Sequence, residues 1–202
     1  WRRPEGATRV ILVPGQVEAD ASIRLGAPGI RTNSALLTAV RAANPDACVV
    51  YKPHPDVLAG MRAAGATGRI AETDSDAIVG DVPMARLLDE VDELHTLTSL
   101  AGFEALLRGK RVVTYGQPFY AGWGLTADQL PPPRRTRRLS LDELVAGALI
   151  LYPCYVSRTT GHFTTPERIL LELSAWRART ATGRPVLRYL LRLVYWLLGR
   201  QA

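Results

Sequence analysis

A chain of 202 residues with 47% hydrophobic content can bury one sizeable core and still carry an appendage. Its formal charge of +6 is lodged at one end: residues 1–133 hold 13 Lys and Arg against 15 Asp and Glu, and residues 134–202 hold 12 against 4. Two cysteines, no zinc spacing and no apolar run of about 18–20 residues argue against a disulfide scaffold, a zinc module and a membrane-spanning protein.

The first strand is RVILVP (9–14), followed by a long loop and a helix over Asn33–Ala43. DACVVYK (46–52) is the second strand and VLAGMRAAG (57–65) the next helix. AIVGDV (77–82) supplies a third strand, with Asp81 and Pro83 opening the helix MARLLDEV. DELHTL (92–97), the helix SLAGFEALLRGK (99–110) and RVVTYG (111–116) complete the series. Apolar strands spaced by helices predict parallel β-α units: an α/β, Rossmann-like parallel sheet of about five strands with helices on both faces. The sequence places this domain at 1–130 and a basic linker with C-terminal helices at 131–202. In that second part LSLDELVAGALILYP (139–153) is helical, with Ser140 and Glu143 spaced as a capping box. TTPERILLELSAWRART (164–180) follows, with Thr165 as cap and Pro166 at the first position.

Four loops stand just beyond predicted strand ends, where open parallel sheets bind ligands. After the first strand, QVEADAS carries Glu18, Asp20 and Ser22; a carboxylate there is either a nucleophile or general base, or part of a solvated turn. After the second, YKPHPD holds Lys52 and His54 in a proline-stiffened segment, which makes them phosphate donors or a plain turn. After the fourth, Thr98 and Ser99 open a helix, where amides and hydroxyls either bind phosphate or cap the helix. Glu104, farther along that helix, either reaches a ribose hydroxyl or pairs with Arg108. After the fifth, YGQPFYAGWG offers Gly116 for close backbone approach and Phe119, Tyr120 and Trp123 as flat faces or loop packing. His95, inside a strand, reads as a satisfied core histidine.

No G-x-G-x-x-G follows a strand and no G-x-x-x-x-G-K-[ST] occurs, so dinucleotide and P-loop sites lose support, and no metal site is expected. The run RRTRR and the apolar segment 185–200 with Arg188 and Arg192 suit an anionic chain, a lipid surface or a protein partner. Nucleic acid is not expected, because the aromatics are not interleaved with the basic run. The polar opening WRRPEGATR and the cysteine usage fit a cytoplasmic protein. An opening at Trp1 fits a piece of a longer one.

The stretches VPGQVEADASIRLG, VVYKPHPDV, HTLTSLAGFEALLRGKRVVTYGQPFYAGWGLTAD and RRTRRLSLDELVAGALILYPCYV resemble the capsule polysaccharide biosynthesis and export family. Its well-understood members are retaining β-Kdo glycosyltransferases that use CMP-Kdo to build a Kdo linker on a lipid. The resemblance implies the C-terminal, donor-binding half of a GT-B-like transferase. His54 would bind the CMP phosphate with Lys52 in support, Thr98 and Ser99 would hold it from the helix start, and Glu104 would hold the ribose. Asp20 would be the nucleophile, with Glu18 as the rival, and no cofactor is needed beyond the CMP-Kdo donor. Implied partners are a lipid-linked Kdo acceptor, an N-terminal half and other capsule-assembly proteins, on the cytoplasmic face of the inner membrane. The competing expectations are a non-catalytic assembly or export module and a transferase half for another nucleotide-sugar, such as a UDP-sugar.

Overall fold

The computed structural model describes residues 1–58 and 73–181. The chain divides into two compact units, Trp1–Leu141 and the part from Asp142 onward. Most of the predicted helix 57–65, and the apolar segment 185–200, lie outside the described residues.

The first unit is built on strands β1 (Val10–Pro14), β2 (Cys48–Lys52), β3 (Ala77–Ile78), β4 (Glu93–Thr96), β5 (Arg111–Thr114) and β6 (Ala127–Asp128). They run in the order β3-β2-β1-β4-β5-β6, and every pairing is parallel. This is the doubly wound, Rossmann-like order, which reverses direction between β1 and β4. Its described helices are α1 (Ala21–Gly26), α2 (Asn33–Ala43), α3 (Pro55–Leu58), α4 (Met84–Glu90) and α5 (Ala101–Leu106).

Side chains alternate along β1. Ile11 and Val13 join Ile23, Leu36, Leu37 and Val40 of α1 and α2 in one core, with Val49, Tyr51 and Val113 from the neighbouring strands. Val10 and Leu12 are equally buried and serve the other face, which α4 and α5 cover against β1, β4 and β5. Thr32 starts α2 by accepting the Ala35 amide at 3.2 Å.

Several predicted boundaries move. The third strand keeps only Ala77–Ile78: Val79 still bonds the Tyr51 carbonyl, but Lys52 takes the Gly80 carbonyl at 2.8 Å, and Pro83 has no amide to pair. The helix expected over 99–110 is regular only over Ala101–Leu106, and it closes where Gly109 turns left-handed (φ 68°) and Lys110 bonds the Ala105 carbonyl. Two elements of this unit were not anticipated, α1 inside the first loop and β6 inside the aromatic loop.

Charge at the amino ends of the strands is heavily paired. Arg9 grips Glu93 through two bonds of 2.8 and 2.9 Å, Arg111 adds one at 3.1 Å, and His95 Nε2 lies 3.1 Å from the same carboxylate. Burial alone would raise the Glu93 carboxyl, but hydrogen bonds from Arg9 and His95 and the arginine charges outweigh it and hold it at about 2. Burial lowers the imidazole of His95, so it stays neutral, donating to Glu93 and facing the Tyr115 hydroxyl. His95 is therefore the satisfied core histidine expected of it.

In the second unit, α6 (Leu141–Val145) passes into a π-helical turn, Ala146–Leu151, closed by Tyr152 N–H to the Gly147 carbonyl at 3.0 Å. The single helix predicted over 139–153 is thus widened and ended early, just before Pro153. An unpredicted hairpin of β7 (Tyr155–Val156) and β8 (Phe163–Thr164) follows. The final described helix, α7 (Pro166–Ala181), begins as predicted, with Thr165 Oγ1 accepting the Arg168 amide. Glu172 on α7 holds the hairpin by accepting from the Ser157 hydroxyl at 2.7 Å and the Arg158 amide at 3.0 Å. No helix among the described residues is long and apolar enough to cross a membrane.

Candidate functional site

Ligands enter sheets of this order beside the carboxyl ends of the strands, at the point where the order reverses. Here those ends carry the four predicted loops, and short-range packing ties the loops together. Gly15, after β1, donates its amide to the Lys52 carbonyl at 2.7 Å; a side chain at Gly15 would strike the Tyr51 hydroxyl at 2.6 Å and the His54 nitrogen at 3.2 Å. Gly116, after β5, lies so close to the carbonyls of Leu97 and Gly26 that a Cβ would come within 2.7 and 2.8 Å of them. Thr98 packs its methyl group between Gly26 and Gly116. The loops after β1, β2, β4 and β5 therefore form one cluster.

Within the cluster the predicted residues separate by what their polar atoms already do. Glu18 accepts from the Asn33 amide at 2.8 Å and its side-chain Nδ2 at 3.2 Å, which fastens it to the start of α2. Asp20 is exposed at the N-cap position of α1, where its side chain makes no cap hydrogen bond, and Ser22 is exposed beside it. The structure thus gives the two carboxylates different occupations.

His54 Nδ1 accepts the Asp56 amide at 3.2 Å. That bond leaves the ring proton on Nε2, the donor a phosphate oxygen requires. The ring is about a third exposed, at 34%. Lys52 gives one N–H to the Gly80 carbonyl, and burial lowers its ammonium, opposed by the charge of Asp81. Burial, with the Glu18 charge nearby, raises the Tyr51 phenol to about 12 and keeps it neutral.

Ser99 donates its amide to Thr96 Oγ1 and accepts the Ala101 amide on its own hydroxyl, both at 3.2 Å. Thr98 and Ser99 consequently shape the turn before α5. Arg108 does not pair with the Glu104 carboxylate: its guanidinium bonds the Glu104 carbonyl at 3.0 Å and lies 4.0 Å from Asp89.

The aromatic loop divides. Phe119 is exposed and stacks edge-on against Phe103 and Tyr120. Tyr120 is fully buried, with its hydroxyl on the Ser99 carbonyl and its ring over Gly102, so it serves packing and presents no face to a ligand. Trp123 is held by the Phe119 carbonyl at 2.8 Å and by Arg135 over its ring at 5.4 Å. Arg135 also caps the carbonyls of Pro118 and Ala121, a bracing role not foreseen for the RRTRR run.

Two residues that sequence reasoning passed over organise the cluster. Gln16 bonds Thr98 and Thr96 through its carboxamide, and buried Asn33 bonds both main-chain groups of Gln16. The only sequence signal was Asn33 following Thr32 at a helix start. Among the described residues no group of three or more His, Cys, Asp or Glu is placed to hold a metal ion.

Sheet order and loop cluster define a doubly wound α/β protein with its four loops gathered at the carboxyl ends of the strands, where sheets of this order bind ligands. The chain belongs to the capsule polysaccharide biosynthesis protein family, whose sequence model matches residues 3–163. It is 55% identical over 157 residues to the capsule polysaccharide modification protein LipA of Neisseria meningitidis serogroup A, covering 78% of this chain and 22% of that protein. It is 46% identical over 173 residues to the lipopolysaccharide-processing protein LpsZ of Rhizobium meliloti, covering 86% and 39%. Among solved structures, the KpsC β-Kdo 2,7 transferase of Thermosulfurimonas dismutans matches with a TM-score of 0.78 and 49% identity, over 87% of this chain and 56% of that one. The KpsC β-Kdo 2,4 transferase from the same organism matches at 0.70 and 34%, over 85% and 55%. The chain spans between about a fifth and two fifths of these curated relatives and little more than half of each solved chain.

Proposed function

We propose that the chain is the donor-binding half of a retaining β-Kdo glycosyltransferase that uses CMP-Kdo. The observation that carries this is the pairing of His54, about a third exposed in a Pro-His-Pro segment with Nδ1 taken by the Asp56 amide, with exposed Asp20 on a loop packed against that segment through Gly15. The likeness to two β-Kdo transferase structures supports the choice of sugar.

In this scheme His54, Lys52 and the hydroxyls of Thr98 and Ser99 hold the cytidylate phosphate; the amides of both residues are already given to Gln16 and Thr96. Glu104 receives a ribose hydroxyl, and Phe119 offers a flat face. An Asp20 oxygen attacks the anomeric carbon while the bond from that carbon to the phosphate oxygen breaks, and CMP departs with the electron pair. Its growing charge meets donors already in place, which is where electrostatic preorganisation acts. The acceptor hydroxyl then displaces Asp20 from the glycosyl ester and gives up its proton, so two inversions retain the configuration. The acceptor is a lipid-linked Kdo chain, presented at the cytoplasmic surface of the inner membrane by the other half of the transferase.

Asp20→Asn in the natural full-length chain, assayed for Kdo transfer from CMP-Kdo, tests the scheme. The expected loss is at least about a thousandfold, the scale of removing a group that acts on the reacting atom. Glu18→Gln should cost far less, because Glu18 is occupied at Asn33. Undiminished transfer by Asp20→Asn contradicts the scheme. A second reading, a non-catalytic capsule-assembly module, draws on the exposed Leu151, Tyr152 and Phe163 of the second unit. A wild-type chain that never transfers Kdo yet is required for capsule export would favour it.

A further inference from the structure

We infer that Gln16 is the positioning residue of this site, the side chain that fixes the acidic loop after β1 relative to the Thr98–Ser99 turn after β4. The inference deepens the donor-site proposal and rests on it. Gln16 is buried, and both ends of its carboxamide are in use. Oε1 accepts from the Thr98 amide at 3.0 Å and the Thr96 hydroxyl at 3.2 Å, while Nε2 donates to Thr98 Oγ1 at 3.0 Å. Its main chain is held just as firmly, with its amide on Asn33 Oδ1 and its carbonyl accepting from Asn33 Nδ2, each at 2.8 Å. One residue thus joins the end of β4 through its side chain and the start of α2 through its main chain, within the loop that presents Asp20.

The chemistry gives this joint its importance. The nucleophile and the departing phosphate must lie on opposite sides of one carbon. The first is carried by the β1 loop, and the second is held partly by the β4 turn. Misplacement by about 1 Å costs roughly a hundredfold in rate. The β4 turn has supports of its own: Ser99 N–H on Thr96 Oγ1, the Tyr120 hydroxyl on the Ser99 carbonyl, and Gly116 against Leu97. The polar tie from the β1 loop to that turn is the Gln16 carboxamide, beside the apolar contact of Thr98 with Gly26. Removing the carboxamide therefore loosens the acidic loop against the β4 turn and leaves the phosphate side in place, while Asn33 and the Lys52 carbonyl still hold the loop to α2 and β2.

Glutamine suits the position because it supplies acceptor and donor without charge. Glutamate would keep both acceptor bonds, let Thr98 Oγ1 reverse its role, and add a negative charge next to a bound anion.

The test compares Gln16→Met and Gln16→Glu with wild type in the natural full-length chain. Kdo-transfer kinetics, CMP affinity by calorimetry and thermal unfolding are measured for each. Gln16→Met should lower kcat by about thirty- to a hundredfold while CMP affinity stays within about twofold, a split that a merely structural role would not produce. Gln16→Glu should keep the wild-type melting temperature and bind CMP several-fold more weakly. Should Gln16→Met fail to fold, the kcat of Gln16→Glu carries the test: a kcat kept within about tenfold of wild type supports the joint, and a fall of about a hundredfold at the wild-type melting temperature overturns it. Full kcat in Gln16→Met, or parallel losses of kcat and CMP affinity, overturns the inference alone. A wild-type chain that neither binds CMP nor transfers Kdo overturns the donor-site proposal, and this inference with it.

Discussion

The two ends of the central sheet use the same kinds of residue for opposite purposes. At the amino ends, Glu93 is enclosed by Arg9, Arg111 and His95, and Asp92 by Arg3 and the Val10 amide; each carboxylate there is neutralised and hydrogen-bonded. At the carboxyl ends, the uncharged Gln16 and Asn33 do most of the fastening and hold Glu18 as well, while Asp20 is exposed and the His54 ring about a third exposed. Saturated charge at one end steadies the fold, while neutral clamps at the other keep charged groups available for a ligand. Composition does not distinguish the ends, but the accounting of hydrogen bonds does.

That contrast can be broken from either side. Asp20→Asn, the largest effect expected on activity, should leave thermal stability near wild type. Glu93→Ala should do the reverse. It leaves the buried His95 without its partner and removes the acceptor that Arg9 and Arg111 reach from solvent, and should cost about 2–3 kcal/mol in urea unfolding, with CMP binding intact in the folded fraction. The same carboxyl predicts a pH dependence. It titrates at about 2 in the folded chain against an ordinary value of 4.5. The stability it contributes is complete above that window and is lost as pH falls through it. A stability that stayed flat across acid titration in wild type, and equally so in Glu93→Ala, would contradict the network's role. Smaller again is Gly102→Ala, whose added methyl group meets the Tyr120 ring; overpacking of this kind costs about 1–3 kcal/mol, read as a lowered melting temperature.

The strand series and the parallel architecture were legible because β1, β2, β4 and β5 are short apolar runs separated by helical periodicity. The sixth strand was not, because two residues have no pattern. Ala127–Asp128 is held by Asp128 accepting from the hydroxyls of Thr114 and Thr126 and the Gly122 amide. Helix α1 hid for the same reason, being only 6 residues long. The π-helical turn is a matter of hydrogen-bond register and leaves no mark in hydrophobicity.

The candidate loops were visible because proline, glycine and hydroxyl residues stood just past strand ends. Which side chains within them face outward was not. Tyr120 and Phe119 are adjacent and chemically alike, yet Gly102 opens a space for one ring only. Gln16 gave no signal, since its partners Thr96 and Thr98 stand about 80 residues away in the chain.

The most direct test of the donor site is a calorimetric titration of this chain with CMP, with UMP as control, for wild type and His54→Ala. Loss of one hydrogen bond to a charged group costs about 1.5–3 kcal/mol, a fall of roughly ten- to a hundredfold in affinity. The account predicts CMP binding stronger than UMP binding and a loss of that size in His54→Ala. Equal binding of both nucleotides that ignores His54, or no binding of either, would contradict it.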